Sequence, residues 1–177
     1  MENSLSTQRF VIKRNGFKQR FYFDKITARL ENLLSEDEKK SIDASLITEK
    51  VIQIIYSGIT SEELDIESAK ICHNLSSINP VYNDLAGRIL VSNLHKKNKM
   101  SFSEKTQYIW DMYLDNPMLD PEYYEYVMNN REALEKIIDY EKDFCFDYFA
   151  FKTFDRSYLI KNKEGVIVEC PQDMLLR

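Results

Sequence analysis

The stretch VIKRNGFKQRFYFDK, from Val11 to Lys25, decides how the fold begins. Residues 9–14 and 17–23 are short runs rich in aromatic and β-branched side chains, and Asn15-Gly16 lies between them. This dipeptide predicts a β-hairpin with a type I′ turn, because both central residues of that turn need a positive φ. Asp24 follows the second run and is predicted to be the N-cap of a helix. We therefore expect the chain to open with a hairpin that leads directly into a helix.

Apolar residues at the spacing of one helix face predict the first two helices. The first is expected to end before a charged loop at residues 35–41, and the second is expected to stop at Gly58, its C′ position. The apolar stripe of the first helix consists of Ile26, Leu30, Leu33 and Leu34. The stripe of the second consists of Ile47, Val51, Ile54 and Ile55.

Two further helices complete the first part of the chain. Thr60 and Glu63 have the spacing of a capping box and predict the start of a third helix, which Pro80 ends. The fourth helix, at about residues 83–97, is apolar around most of its circumference, so we expect it to lie centrally between other elements. Residues 9–100 are therefore predicted to form one domain, a β-hairpin capped by a four-helix bundle.

Residues 101–177 are predicted to form a second, mainly helical segment. A helix is expected at residues 103–114, and Asp120-Pro121 has the pattern of an N-cap followed by proline at the first helical position. Residues 158–168 predict a second hairpin. The expected fold class is therefore mainly α with a small β content, and residues 1–8 are expected to be a flexible leader.

Composition excludes several classes of protein. The chain has 177 residues, a net charge of −5 and enough apolar residues to bury a core. It carries neither a signal-peptide pattern nor a membrane-spanning apolar run, so a cytoplasmic protein without a membrane partner is expected. Cys72, Cys145 and Cys170 are far apart and lack a CxxC pattern, so they are predicted to be buried thiols. His73 and His95 are expected to be solvated or to cap helices, and no metal site is expected.

The opening stretch is strongly basic in an acidic protein, and three interpretations fit this charge. A basic ribbon can be a solvated sheet edge that discourages pairing with another sheet. It can bind nucleic acid, but the chain lacks a long basic face, so no nucleic-acid partner is expected. It can also hold the phosphates of a nucleotide, which need several converging cations. The basic residues are Lys13, Arg14, Lys18, Arg20 and Lys25, against one acid, Asp24.

Three motifs, in order and spacing, resemble the ATP-cone, a nucleotide-sensing domain of ribonucleotide reductases: VIKRNG…RFYFDKIT, IYSGITSEELD and RILVSNLHK. After them, FDYFAFKTFDRSYLIK and GVIVECPQDMLLR resemble the segment that follows the cone in the large subunit of class I ribonucleoside-diphosphate reductases of the eukaryotic and large-DNA-virus type. The resemblance covers nearly the whole chain. It implies a cone, a helical segment and a hairpin leading into a ten-stranded α/β barrel that these 177 residues do not contain.

The resemblance assigns nucleotide-binding roles to residues of each motif. It implies that Lys13, Arg14 and the segment after the turn wrap ATP or dATP, with the basic groups on the phosphates. It also implies that Asp65 accepts hydrogen bonds at the sugar or base side, that Ser61 supplies a hydroxyl, and that Lys96 reaches the phosphates. From the residues alone, Asp65 can instead favour a helix N-terminus, Ser61 can belong only to the capping turn, and Lys96 can be a cation at a helix C-terminus. The segment after the turn comprises Gln19, Arg20, Phe21, Tyr22, Phe23, Asp24 and Lys25.

The resemblance implies regulation of an oxidoreductase rather than catalysis by this chain. ATP as activator and dATP as inhibitor, with Mg²⁺, would control the reduction of ribonucleoside diphosphates for DNA synthesis. The implied partners are other large subunits and the radical-generating small subunit. No catalytic residue is expected here, so the chain alone is expected to be inactive, as a piece of a longer subunit or as a split subunit. The alternative is a degenerate viral homologue that acts as an interaction module without nucleotide regulation.

Overall fold

The computed structural model describes residues 9–177. The chain divides into two compact units, of which one ends at Leu90 and the other is Val91–Arg177. Helices dominate both units, which confirms the expected class, mainly α with a small β content. The leader predicted at residues 1–8 lies outside the described residues, and a domain boundary after residue 100 stays a prediction.

A three-stranded sheet opens the first unit. Its strands are β1 (Phe10–Ile12), β2 (Lys18–Arg20) and β3 (Ile59–Thr60), in the spatial order β2-β1-β3. Strands β1 and β2 form the predicted antiparallel hairpin. Strand β3 was not predicted, because it is two residues long and pairs in parallel with β1 across more than forty intervening residues. The sheet therefore joins the chain start to the residues that precede Ser61.

The turn of the hairpin differs from the predicted type I′. Gly16 has a φ of +80°, but Asn15 does not adopt a positive φ. The Gly16 amide donates to the Lys13 carbonyl, and the Lys13 amide donates to the Phe17 carbonyl, each at 2.8 Å. These bonds close a three-residue loop in which only the glycine occupies the left-handed region. The prediction of a hairpin is confirmed and the predicted turn type is wrong.

Five helices follow in the first part of the chain, one more than predicted. The extra one is α2, which replaces the charged loop expected at residues 35–41, because Ser35 and Glu38 form a capping box. The capping box of Thr60 and Glu63 is confirmed at the start of α4. The helices are α1 (Phe23–Glu31), α2 (Glu36–Ser41), α3 (Ala44–Ile54), α4 (Ser61–Asn74) and α5 (Val81–Lys97), the last of which runs across the division between the units.

Two predicted helix ends are wrong. Tyr22 is the N-cap of α1 and makes no side-chain capping bond, so Asp24 lies inside the first turn instead of capping it. Helix α3 ends at Ile54, and Gly58 lies further on, in the turn before β3 with a φ of +96°. A carboxylate within the first helical turn still favours the helix through the macrodipole.

Apolar burial follows the predicted stripes closely. Two members depart from full burial, because Leu33 is half-buried and Ile54 in the last turn of α3 is half exposed. Helix α5 is buried around most of its circumference, as predicted. The buried apolar side chains of the first unit include Ile26, Leu30, Leu34, Ile47, Val51, Ile59, Cys72, Leu85 and Ile89.

The second unit is built from short helices. Asp120 caps α7 with proline at the first helical position, as predicted. The hairpin expected at residues 158–168 is reduced to a single bridge between Lys161 and Ile167. The helices are α6 (Phe102–Met112), α7 (Pro121–Asn129), α8 (Arg131–Ile137), a 3-10 helix (Tyr140–Cys145), α9 (Tyr148–Ser157) and α10 (Pro171–Leu176).

Two apolar clusters hold the second unit together. One contains Ile109, Leu119, Ile160 and Val168, and the other contains Phe102, Val127 and Leu134. Cys145 is exposed, which contradicts the expectation that all three thiols are buried. None of the helices between residues 9 and 177 is long and apolar enough to cross a bilayer.

Candidate nucleotide-binding site

The sheet brings the hairpin turn next to the start of helix α4. The parallel pairing of Ile12 with Thr60 places Lys13 and Ser61 just beyond the same end of two neighbouring strands. The Ser61 hydroxyl donates to the Ile12 carbonyl at 3.1 Å and fixes this junction. Two predicted site residues from distant parts of the sequence are therefore adjacent.

Asp65 lies one turn further along α4 and joins the turn to helix α1. Its carboxylate contacts Arg14 Nη2 at 3.3 Å and Arg29 Nε at 2.7 Å. The Asp65 residue is only 4% exposed, whereas each arginine side chain keeps about 30% of its surface exposed. The Arg14–Asp65–Arg29 cluster thus connects three elements around one buried negative charge.

The charges of this cluster perturb one another. Burial raises the pKa of Asp65, and the neighbouring Arg29 and Arg14 act against that rise. Burial also lowers the pKa of Arg29, against the attraction of Asp65. In addition, Arg29 Nη2 is buried and has no hydrogen-bond partner among the described residues. The cluster therefore retains one buried donor without a hydrogen bond among the described residues.

Arg29 was not among the residues predicted for the site. Lys25 and Arg29 are four residues apart on α1, so they share one helix face. This spacing was the available signal, because Lys25 was already assigned to the phosphates. The pairing of Arg29 with Asp65 could not be read from the sequence, because it depends on how α1 and α4 pack.

The basic residues of the opening stretch form an exposed surface. Tyr22 lies between two of them, with Lys25 Nζ 5.0 Å and Arg20 Cζ 6.0 Å from its ring centroid. Strand β2 is an edge of the three-stranded sheet, which agrees with a protective role for its charges. The edge does not account for Lys13, which follows the central strand β1, or for Lys25, which lies on α1. The exposed cations are Lys13, Arg14, Lys18, Arg20 and Lys25.

The remaining predicted residues occupy different surroundings. Gln19 is half-buried opposite Val11 in the hairpin. Phe21 and Phe23 are half-buried, whereas Tyr22 and Asp24 are exposed. Lys96 belongs to the second unit, so its role at the nucleotide stays a prediction.

Comparison with protein families matches residues 9–97 to the ATP cone domain. This range includes the sheet and all five helices of the first part of the chain. The chain belongs to the ATP-cone family. An ATP cone is a nucleotide-binding regulatory domain, so the exposed cations and the Arg14–Asp65–Arg29 cluster lie in a domain of nucleotide-sensing type.

This ATP-cone protein is also similar to ribonucleoside-diphosphate reductase large subunits. It is 41% identical over 176 residues to the large subunit of Arabidopsis thaliana and 39% identical over 173 residues to large chain 2 of Saccharomyces cerevisiae. It is 43% identical over 174 residues to the large subunit of Vaccinia virus. Each match covers 95% of this chain but only 20–22% of the relative. The chain therefore spans about a fifth of the length of these relatives.

Proposed function

We propose that this ATP cone binds ATP or dATP at the hairpin turn and the adjoining ends of α1 and α4. We further propose that it is the overall-activity region of a ribonucleoside-diphosphate reductase large subunit. The observation that carries the proposal is the Arg14–Asp65–Arg29 cluster, which places a buried carboxylate directly beside exposed cations. These two kinds of group match a nucleotide. Its phosphates need cations, and its sugar hydroxyls, next to the phosphates, need a hydrogen-bond acceptor.

The phosphates would lie against the exposed cations. A triphosphate concentrates several negative charges, and charge-assisted hydrogen bonds from lysine and arginine are the strongest that a protein offers it. Lys13, Arg14 and Lys25 are exposed, and Arg14 reaches from the turn to Asp65 on α4. The N-terminal ends of α1 and α4 add backbone donors and a favourable dipole. We expect Gln19 to Phe23 to contribute the wall of the pocket, and Lys96 to reach the phosphates.

The sugar would lie near Asp65 and Ser61. An ionised carboxylate accepts hydrogen bonds and donates none, so Asp65 suits a ribose or deoxyribose hydroxyl, which can donate one. ATP and dATP differ by a single 2′-hydroxyl. The neighbouring Arg29 holds Asp65 at 2.7 Å, so a sugar that competes for Asp65 also changes the environment of Arg29.

Mg²⁺ would accompany the nucleotide. The ion usually binds phosphate oxygens together with one or two carboxylates and water. Asp24 fits this requirement, because it is an exposed carboxylate in the first turn of α1, next to Lys25. The ion would neutralise phosphate charge and complete the set of cations around it.

The proposed role is regulation. ATP and dATP can act oppositely only if they favour different conformations or assemblies of the subunit. The assemblies would be those of large subunits with one another and with the radical-generating small subunit. ATP would activate and dATP would inhibit reduction of ribonucleoside diphosphates in the cytoplasm. On this proposal the chain alone is inactive as a reductase.

Isothermal titration calorimetry with ATP and dATP, each with Mg²⁺, tests the proposal. We expect both nucleotides to bind in the micromolar range. Lys13→Ala should weaken binding about tenfold or more, because it removes a charge-assisted bond to phosphate. Lys40→Ala is the matched control, since Lys40 is an exposed lysine of α2 that pairs with Asp37. Binding that is absent, or equally affected in both variants, would refute the proposed pocket.

A further inference from the structure

Three potential metal ligands converge in the second unit, where the sequence predicted none. His95 comes from the last turn of α5, Asp143 from the 3-10 helix, and Cys170 from the N-cap of α10. Their ligand atoms all lie within 4.8 Å of one another. Asp143 and Cys170 are almost fully buried, and His95 is partly exposed. We call this group the His95–Asp143–Cys170 cluster.

We propose that the His95–Asp143–Cys170 cluster is a binding site for a divalent cation of the zinc class. Imidazole nitrogen, carboxylate oxygen and thiolate sulfur are the ligands of protein zinc sites. Bonds of about 2.0 Å to nitrogen and oxygen and about 2.3 Å to sulfur put tetrahedral ligand atoms about 3.3 to 3.6 Å apart. His95 Nε2 and Asp143 Oδ2 are 2.7 Å apart, so this pair needs to separate by well under an ångström. The sulfur lies within 4.8 Å of the other two ligand atoms, so it needs to approach them by up to about 1.3 Å.

Hydrogen bonds already orient the ligands. The Gln172 amide donates to Asp143 Oδ1 at 2.9 Å, which leaves Oδ2 directed at His95. The Cys170 amide donates to Asp173 Oδ2 at 2.6 Å, which fixes the backbone that carries the sulfur. Metal sites depend on such outer contacts to hold their ligands in place.

The positive charge of Lys105, next to the cluster, would repel a bound cation, but Asp173 balances that charge. Its Nζ lies 3.7 Å from Cys170 Sγ and 2.7 Å from Asp173 Oδ2. Tyr140 also donates a hydrogen bond to Asp173, at 2.6 Å. The Lys105–Asp173 pair is therefore neutral as a unit, and the hydrogen bond that Lys105 already donates to the Cys170 sulfur would strengthen once that sulfur is a thiolate. The thiol proton would leave to solvent as the metal binds.

A cavity gives the cluster an open side. It has a volume of about 380 Å³, and its lining includes His95, Tyr140, Cys170, Ser101 and Glu104. A metal held by three protein ligands commonly keeps its fourth position for water or another small ligand. The cavity supplies both a route for the ion and space for that water.

Without a metal, the same residues would form only a hydrogen-bonded pair. His95 and Asp143 satisfy each other, and Cys170 would then be a buried thiol that accepts a hydrogen bond from Lys105 Nζ and caps α10. In this alternative the sulfur serves Lys105 and the start of α10, and no ion is bound. The two possibilities predict different spectra with a coloured metal ion.

Titration of the reduced, chelator-treated chain with Co²⁺ tests the proposal. Tetrahedral Co²⁺ bound by a thiolate gives visible d–d bands and a near-ultraviolet charge-transfer band, and we expect both. Zn²⁺ should abolish them by displacing Co²⁺. Cys170→Ser should remove the charge-transfer band, whereas Cys145→Ser should leave it unchanged, because Cys145 is an exposed thiol outside the cluster.

The variant His95→Gln tests metal binding a second time without altering a cysteine. It should weaken Co²⁺ binding about tenfold or more, with an unchanged circular dichroism spectrum. The proposal is overturned if the chain shows no charge-transfer band, or if the band persists in the folded Cys170→Ser variant. Equal Co²⁺ affinity in His95→Gln and the parent would overturn it as well.

Discussion

Replacing Asp65 by asparagine is expected to destabilise the first unit by about 2 kcal/mol. The substitution keeps the shape of the side chain and removes its charge. Arg29 and Arg14 would then lie beside each other without the carboxylate that now contacts them at 2.7 and 3.3 Å. Removing one partner of a buried ion pair costs about 3–5 kcal/mol. The expected value is lower because both arginines are partly exposed and can regain water.

Urea unfolding followed by far-ultraviolet circular dichroism measures this effect. With a slope of about 2 kcal/mol per molar urea, the midpoint should fall by about 1 M. Glu67→Gln is the matched control on the same helix, because Glu67 and Lys70 form an exposed pair. Such pairs contribute about 0–1 kcal/mol, so the control should lie close to the parent.

A double variant tests where the destabilisation originates. If the unpaired charge of Arg29 is responsible, Asp65→Asn combined with Arg29→Met should be less destabilised than the sum of the single variants. Strict additivity would contradict this explanation. A change below about 0.5 kcal/mol for Asp65→Asn alone would refute the assignment of the cluster as a buried ion network.

Three further substitutions test other parts of the account. Bidentate hydrogen bonds from Arg88, both at 2.8 Å, lower the pKa of Glu38 to about 2. Since this pKa lies below the ordinary value of 4.5, the stabilisation is present above that pH and is lost as the pH falls toward 2. Glu38→Gln should therefore cost about 1 kcal/mol in urea melts at pH 7 and much less at pH 3; equal losses at both would contradict the pairing. Gly58→Ala should lower the thermal midpoint by the equivalent of about 1 kcal/mol, because alanine is strained at a φ of +96°; an unchanged midpoint would contradict this. Lys105→Met should cost about 3 kcal/mol by urea unfolding, and adding Asp173→Asn should recover part of it, because both side chains are 2% exposed and paired; a double variant as unstable as the sum would refute the coupling.

Local signals in the sequence predicted local structure well. The capping box of Thr60 and Glu63 starts α4 where it was expected. The glycine of Asn15-Gly16 does turn the hairpin, but the turn type depends on whether the preceding residue also takes a positive φ. Helix α2 was missed because its apolar content is low, although Ser35 and Glu38 carried a capping signal.

Features of the fold and of the candidate site that depend on pairing between distant parts of the chain could not be predicted from the sequence. Strand β3 pairs with β1 through two residues, which is too short a run for any periodic pattern. The same parallel pairing places Ser61 beside the hairpin turn and so determines the candidate site. Resemblance to the ATP-cone supplied Ser61 and Asp65, but Arg29 became visible only through the packing of α1 against α4.

The His95–Asp143–Cys170 cluster in the second unit also depends on non-local packing that the sequence did not predict. Spacing along one helix gave no reason to expect a metal site, because no second ligand stands four residues from His95. The ligands come from three separate elements, and the chain between them is tens of residues long. Such sites are visible in three dimensions and leave no motif in the sequence.

Hydrogen–deuterium exchange with and without dATP and Mg²⁺ tests the central claim most directly. The measurement localises the nucleotide instead of only detecting it. The account predicts slower exchange in peptides that cover residues 13–25 and 61–65, with no change in α6 to α9. Exchange that is unchanged in residues 13–25 and 61–65, at a dATP concentration that saturates the chain, would contradict the proposed pocket.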